Sequence, residues 1–341
     1  MSAEVTVAVA GLGYWGPNLA RNLDALPGAR LSWICDSSSE RLEAGHARFP
    51  DARATESIEE LLEDDGLDAV VIATPVPTHA ALARRCLEAG KHVLVEKPLA
   101  QSSAEAEEAV SAAREHGRVL MVGHLLEYHP GVDRLKALVE TGELGQVRYI
   151  YGNRLNLGKL RSDENALWSL GAHDVSVVLR LVGEEPTDCN AFGESYMQDG
   201  IEDVVFCFLR FPSGVAAHLH LSWLDPHKER RFTVVGSKRM ATFDDMDLER
   251  KVTVYDKGFD QKFQNYGEYI ARSGDIWSPS VANDEPLRLE CRHFIDCVRE
   301  GIEPRSGGEA GLRVVRVLEE LQRSLDLGVR SDPLARSSST Y

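Results

Sequence analysis

The sequence predicts a doubly wound parallel α/β domain followed by an α+β domain with a mostly antiparallel, open-faced sheet. Three observations carry this. Apolar strand-like runs alternate with helical spacings over the first third of the chain, the pattern of repeated βαβ units. The opening run, Val5 to Ala10 (VTVAVA), breaks into GLGYWG and then into a helical stretch. Beyond about residue 123 strands dominate, and Pro212-Ser213-Gly214 separates two alternating runs as a hairpin loop would. The expected boundaries are 1–122, 123–328 and a loose Ser-rich tail over 329–341.

In the first domain, Glu40 to Ala47 and Thr55 to Leu62 (TESIEELL) read as helices, the second with a Thr or Ser cap and early acids. Leu67 to Ala73 (LDAVVIA) is a continuous apolar strand, suited to a sheet covered on both faces. Lys91 to Val95 and Val119 to Val122 are further strands, with a helix over Ser102 to His116 between them. In the second domain the helices are Pro130 to Thr141 and Leu167 to Val182, with a strand over Val147 to Arg154 between them. Asp203 to Phe211, Val215 to Trp223, Arg231 to Val235, Met240 to Phe243 and Lys251 to Tyr255 form the meander. Two helices, Leu287 to Glu300 and Gly308 to Leu327, close it.

The stretch GLGYWG lies between a strand and a helix, where a dinucleotide-binding loop belongs. Gly11 allows the tight turn, Gly13 clears backbone for a pyrophosphate, and Gly16 lets the helix approach closely. The helix N-terminus then offers N–H groups and partial positive charge to phosphates, and Pro17 costs nothing in its first turn. An ordinary βαβ unit would account for the glycines alone. Asp36 adds a second signal: it ends the next apolar run twenty residues after Gly16, where an acid accepts from the adenine ribose. Asp36 repels a 2′-phosphate, so NAD is favoured over NADP; Arg41 is placed to swing in and reverse that. Loops after the strand C-termini line the ligand crevice. They bring Gly11, Asp36, Thr74, Pro75, His79, Glu96, Lys97 and His124 to one sheet edge, and Tyr14 and Trp15 lie inside the glycine loop itself.

The formal net charge is −16 with no basic block, which excludes nucleic acid and anionic membranes as natural partners. Six scattered cysteines form no CxxC pair, so neither a zinc site nor a disulfide framework is expected. Reduced cysteines, together with the lack of a signal-type stretch or an eighteen-residue apolar run, fit a cytoplasmic protein. No Cys/His/carboxylate cluster has metal-ligand spacing.

Four separated motifs, GLGYWG, ATPVPTH, EKP and SLGAHD, together resemble the Gfo/Idh/MocA oxidoreductases, over nearly the whole chain. GYWGPNLARN, GHLLEYHP, GNRLNLG, LGAHDVS and SWLDPHKERRFTVVGS are similar to its sugar-nucleotide 3-dehydrogenase branch, typified by enzymes of UDP-N-acetylglucosamine and its uronate. The resemblance implies an N-terminal Rossmann domain, NAD, and hydride transfer at a secondary alcohol, with the 3-hydroxyl of a UDP-N-acetyl sugar or uronate first. A 3-ketosugar reductase, an inositol or glucose dehydrogenase, and a non-catalytic NAD-dependent sensor are the alternatives.

The resemblance makes Lys97 the group that holds the substrate hydroxyl, with Pro98 cis, and His173 the group that takes its proton. Taken by themselves, Lys97 is a surface partner for Glu96 and His173 a structural histidine at a helix start. Imidazole titrates near the working pH, which suits a base. The two roles are also exchangeable. Many relatives carry an Asp four residues before the histidine; Ser169 stands there, and the adjacent Asp174 diverges from His173 by about 100° on an α-helix. His124, Tyr128, Asn153, Arg154, Asn156, Arg161 and Asp174 are the candidate substrate contacts, since amides and guanidinium groups suit hydroxyls, carboxylates and diphosphates. An uncovered sheet face in the second domain implies a homo-oligomer, a dimer or a tetramer.

Overall fold

The computed structural model describes residues 4–158, 160–261 and 269–328, so the tail expected over 329–341 lies outside the described residues. In the first sheet the strands are β1 (Val5–Ala10), β2 (Ala29–Cys35), β3 (Arg53–Thr55), β4 (Ala69–Ile72), β5 (His92–Glu96) and β6 (Leu120–Gly123). Every residue of β1, β4 and β6 is buried, as strands covered on both faces require. The helices between them are α1 (Gly16–Asp24), α2 (Ser39–Arg48), α3 (Ile58–Glu63), α4 (His79–Glu88) and α5 (Ser103–Glu115). All pairings are parallel and the order is β3-β2-β1-β4-β5-β6. Chain direction across the sheet reverses between β1 and β4, and ligands of such sheets bind in the crevice beyond that point.

The helix expected from Thr55 begins later, at Ile58, because Thr55 ends the short edge strand β3. Its hydroxyl accepts from the Ser57 N–H at 3.0 Å and donates to Glu60 at 2.7 Å, which turns the chain into α3. Three residues show too little alternation to betray a strand.

The second sheet holds β7 (Val147–Leu157), β8 (Asp188–Glu194), β9 (Val204–Arg210), β10 (Ala216–Ser222), β11 (Leu224–Gly236), β12 (Met240–Asp244), β13 (Val252–Gln261) and β14 (Tyr269–Trp277). Its order is β14-β13-β12-β11-β7-β10-β9-β8, antiparallel except where β10 runs beside β7. Helices α6 (Pro130–Glu140) and α7 (Ala172–Val182) pack on one face. Along β7, Ile150, Gly152 and Arg154 are buried while Tyr149, Tyr151 and Asn153 are not, so successive side chains serve opposite faces. The open face carries stacked rings: Tyr151 lies 5.3 Å from His218, and Phe206 lies 4.4 Å from His220. Strands β8 and β14 were not expected, since DCNAFGE and YIARSGDIW mix polar residues and glycine into weak alternation.

The last two helices, α8 (Pro286–Glu300) and α9 (Gly308–Gly328), correct the expected boundaries. Among the described residues, one compact unit comprises those of 4–129 and 283–316, and the other comprises those of 130–282 and 317–328. Leu287, Cys291, Phe294 and Ile295 of α8 join the same core as Val5, Val7, Val9, Leu19 and Met121. An apolar helical stripe announces that one face is buried, not which sheet buries it.

Candidate active site

The glycine turn at the head of α1 is built as its sequence implies. Gly11 has φ +94°, and a Cβ there would lie 2.6 Å from the Ala73 carbonyl carbon. A Cβ on Gly16 would lie 1.8 Å from the Gly11 carbonyl oxygen, so helix and turn meet backbone to backbone. Gly13 is the reverse case: a Cβ would meet nothing within 4 Å, which leaves open space above the turn. Trp15, the residue before α1, makes no side-chain cap; Pro17 has no N–H and the Asn18 N–H donates to the Trp15 carbonyl at 2.9 Å, which leaves the N–H groups of the turn from Gly13 to Gly16 for a ligand. Bare backbone donors beneath open space fit a pyrophosphate.

Asp36 follows directly on β2 and is almost fully buried. Its carboxylate accepts from Leu12 N–H at 2.6 Å, Ser38 N–H at 2.8 Å and the Arg41 guanidinium at 2.8 Å. Burial pushes its pKa up, but the donors from Arg41, Leu12 and Ser38 outweigh burial and hold it below the usual carboxylate range. The acid stands where a ribose partner belongs, and Arg41 already occupies it. Arg41 must turn aside before Asp36 can accept ribose hydroxyls, and the same exposed guanidinium is placed to meet a 2′-phosphate.

Strand β5 delivers Glu96 and Lys97 to this edge, and the Lys97–Pro98 bond is cis. Burial pushes the Glu96 pKa up to about 7, against the pull of the Lys97 charge, the Lys97 N–H and the Trp15 side chain. Lys97 therefore has a neighbour able to hold or release a proton near neutrality. His124, just after β6, is 1% exposed, and neither ring nitrogen has a hydrogen-bond partner among the described residues. Burial and the Lys97 charge push its pKa down to about 3, so the ring is neutral. Thr74 and the exposed Pro75 lead into a short 3₁₀ turn, Val76–Thr78, where the Thr74 and Thr78 hydroxyls lie 2.7 Å apart. Tyr14 is 92% exposed at the loop tip.

Two expected ligand contacts of this unit are consumed by the fold. His79 has its ring nitrogens 2.8 Å from the carbonyl oxygens of Pro98 and Thr74, buried between the loops that follow β4 and β5. Both ring nitrogens are thereby committed to the loops that follow β4 and β5. Tyr128 is 2% exposed, with its hydroxyl 2.9 Å from Ser306 Oγ, inside the apolar core.

In the second unit, a π turn over Leu167–Gly171 leads directly into α7, and His173 is the second residue of that helix, half-buried. Spacing by four residues does not hold through a π turn, where bonds run from i to i+5. Ser169 lies buried within that turn. Arg154 and Asp174 spend their charges on each other, Nε to Oδ2 and NH2 to Oδ1, both at 2.8 Å. Asn153 faces the open side of the sheet and donates to Glu229 at 3.0 Å. Arg161 is exposed and pairs with Glu164 at 2.9 Å, while Asn156 is half-buried. Of the substrate candidates in this unit, Asn156 and Arg161 are the ones left accessible.

Glu290 is a buried acid that no motif in the sequence marks. It is 1% exposed, and neither carboxyl oxygen has a hydrogen-bond partner among the described residues. Burial, with the charges of Glu96 and Glu127, raises its pKa well above the carboxylate range. Its position on the apolar stripe Leu287, Glu290, Cys291, Phe294 was the available signal.

Residues 5–124 match the model of an oxidoreductase family with an NAD-binding Rossmann fold, and residues 132–242 match the Gfo/Idh/MocA C-terminal domain. The UDP-N-acetylglucosamine 3-dehydrogenase of Acidithiobacillus ferrooxidans is 32% identical over 75% of this chain and 78% of its own. The chain belongs to the Gfo/Idh/MocA oxidoreductase family. A structure of that dehydrogenase, GnnA, superposes with TM-score 0.84 and 27% identity, covering 96% of this chain and 99% of the other. The scyllo-inositol 2-dehydrogenase (NAD(+)) of Bacillus subtilis is 28% identical over 89% of both chains. This family member is an NAD(P)-dependent oxidoreductase acting on CH–OH groups. Among its described residues no helix is long and apolar enough to cross a membrane.

Proposed function

We propose that the enzyme moves a hydride between NAD and a secondary alcohol of a sugar, most specifically the 3-hydroxyl of a UDP-N-acetyl sugar or its uronate. The observation that carries this reading is the placement of Lys97 on the same sheet edge as the open glycine cradle. The 32% identity to a UDP-N-acetylglucosamine 3-dehydrogenase supports the substrate class. Gly11, Gly13, Tyr14, Trp15 and Gly16 would hold the dinucleotide phosphates, Asp36 its ribose, and Thr74, Pro75, Glu96 and Lys97 its nicotinamide end. When bound, NAD supplies the acceptor for the hydride.

The chain's own groups manage the proton. Hydride loss without proton loss would leave a protonated carbonyl, so the hydroxyl needs a base. Lys97 orients the hydroxyl, and His173 accepts its proton directly or through Lys97. Glu96, titrating near neutrality, offsets the ammonium charge. Asn156, Arg161 and His124 are the remaining candidates for contact with the sugar nucleotide. The aromatic open face of the second sheet supports self-association, as a dimer or tetramer, in the cytoplasm. The scyllo-inositol relative favours a second reading, in which a free cyclitol takes the sugar's place.

A thermal-shift screen separates the two. NAD with UDP-N-acetylglucosamine or its uronate should raise the melting temperature above NAD alone, because a ligand of the native state stabilises it by mass action. A shift with scyllo-inositol and none with UDP-sugars would move the assignment to the second reading. Lys97→Ala and His173→Ala should each lower turnover by roughly 10²–10⁴-fold with NAD binding retained. Wild-type turnover in either variant removes that residue from the mechanism.

A further inference from the structure

Resting on the reading of His173 as the base, we propose that the buried Arg154–Asp174 pair is a positioning device that fixes the helical register, and hence the direction, of His173. Asp174 follows His173 in the first turn of α7. Both its oxygens are engaged by the Arg154 fork, at 2.8 Å each, with the two side chains 8% and 2% exposed. Neither group has charge to spare for a substrate. Arg154 itself cannot drift, because β7 is held in register by β10 on one side and β11 on the other.

The chain just before His173 explains why an anchor is needed there. The π turn over Leu167–Gly171 carries one more residue per hydrogen-bonded ring than an α-helix. Relaxation of that turn to α geometry would shift the following helix by one residue, about 100° of rotation. His173, two residues beyond the turn, would swing by that angle. A bidentate ion pair at Asp174 permits one phase of the helix only, since the guanidinium fork accepts a carboxylate in a fixed plane. The Ser176 hydroxyl donates to the His173 carbonyl at 2.9 Å, a bond within the first turn of α7 itself. Stability alone does not require this arrangement: apolar residues of similar volume usually serve a buried site as well as an ion pair does. Geometry is what the pair adds.

The deciding variant is Arg154→Met/Asp174→Leu, which removes both charges together and leaves no buried charge unpaired. The expected result is a melting temperature near wild type, NAD affinity unchanged, and a displaced titration of the His173 imidazole followed by proton NMR. Turnover of UDP-N-acetylglucosamine with NAD should fall at least tenfold, mostly in kcat. A folded double variant with wild-type His173 titration and wild-type kcat overturns the proposal and leaves the pair as packing. If the double variant does not fold, Asp174→Glu keeps the charge, lengthens the arm by one methylene, and must show the same displaced titration. His173→Ala, measured alongside, tests the underlying reading. Undiminished turnover there sinks the assignment of the base and this proposal with it; diminished turnover with an unaltered double variant sinks this proposal alone. Absence of wild-type turnover with this UDP-sugar revises the substrate, and the NMR titration still decides the role of the pair.

Discussion

The two sheets place their polar residues by opposite rules. In the first, β1, β4 and β6 are buried along their whole length, and the groups placed for ligand lie at strand ends and in the loops after them: Gly11 after β1, Asp36 after β2, Lys97 after β5, His124 after β6. In the second, polar groups sit within strands, and alternation decides whether each meets a helix or the open face. Arg154 and Asn153 are neighbours in sequence and serve opposite sides. Position along a parallel strand therefore predicts access to ligand, whereas position along an open-faced strand does not until its partners are known.

The sharpest way to break this contrast is at the backbone of the first sheet. Gly16→Ala would put a Cβ 1.8 Å from the Gly11 carbonyl oxygen, a contact no rotamer relieves. The expected loss is at or above the ~3 kcal/mol end of overpacking costs, with NAD binding abolished. Calorimetric unfolding and NAD titration check it. A stable Gly16→Ala protein that binds NAD normally would mean the strand-end rule rests on something other than this close approach.

The same contrast decides which features are legible in the sequence. The Rossmann order, the glycine turn, Asp36 and the strand-end lysine follow from apolar runs and what interrupts them. Strand β3 was too short, and β8 and β14 too polar, to show a period. Loops near strand ends usually line such a crevice, which makes Tyr128 and His79 look like crevice residues, yet each finds a buried partner that sequence spacing does not reveal: Ser306 for one, two carbonyl oxygens for the other. Arg154 and Asp174 misled for a related reason. Charged residues far apart in sequence look like ligand groups until topology shows that they satisfy each other. The π turn has no composition signature, so the spacing between Ser169 and His173 could not be interpreted from sequence.

Glu290 sharpens the comparison at an intermediate scale, as an acid where the rule allows none. Its pKa in the folded protein lies above the unfolded value, so the native state holds the proton more tightly. Stability from this group is fully present below the unfolded pKa and declines as pH rises through the range above it. Glu290→Gln removes that decline. The variant should match wild type near pH 4 and be more stable near pH 8, on the order of 2–4 °C in melting temperature for each kcal/mol of relief. Parallel pH profiles for the two proteins would show that the carboxyl finds a partner in solution and is not a buried neutral acid.

The smallest expected effect concerns Arg41, and it tests whether a strand-end residue can be sequestered as thoroughly as those of the second sheet. Asp36 accepts from two backbone N–H groups and from Arg41, with Arg41 Nε 3.1 Å from both oxygens. Its side chain is 5% exposed, while that of Arg41 is 50% exposed and free to rotate outward. With the guanidinium half in solvent, its hold on the carboxylate is weakened by water and salt, so it competes with a ribose only modestly. Arg41→Ala should therefore tighten NAD severalfold and weaken NADP by a larger factor, because it uncovers the carboxylate and removes a cation poised for a 2′-phosphate. Asp36→Ala should do the reverse, costing NAD more than NADP. Isothermal titration of both dinucleotides against both variants reads the two effects without any substrate. If Arg41→Ala lowers NAD affinity, the guanidinium is part of the ribose site rather than its competitor, and Asp36 belongs with Arg154 and Asp174 as a charge committed to the fold.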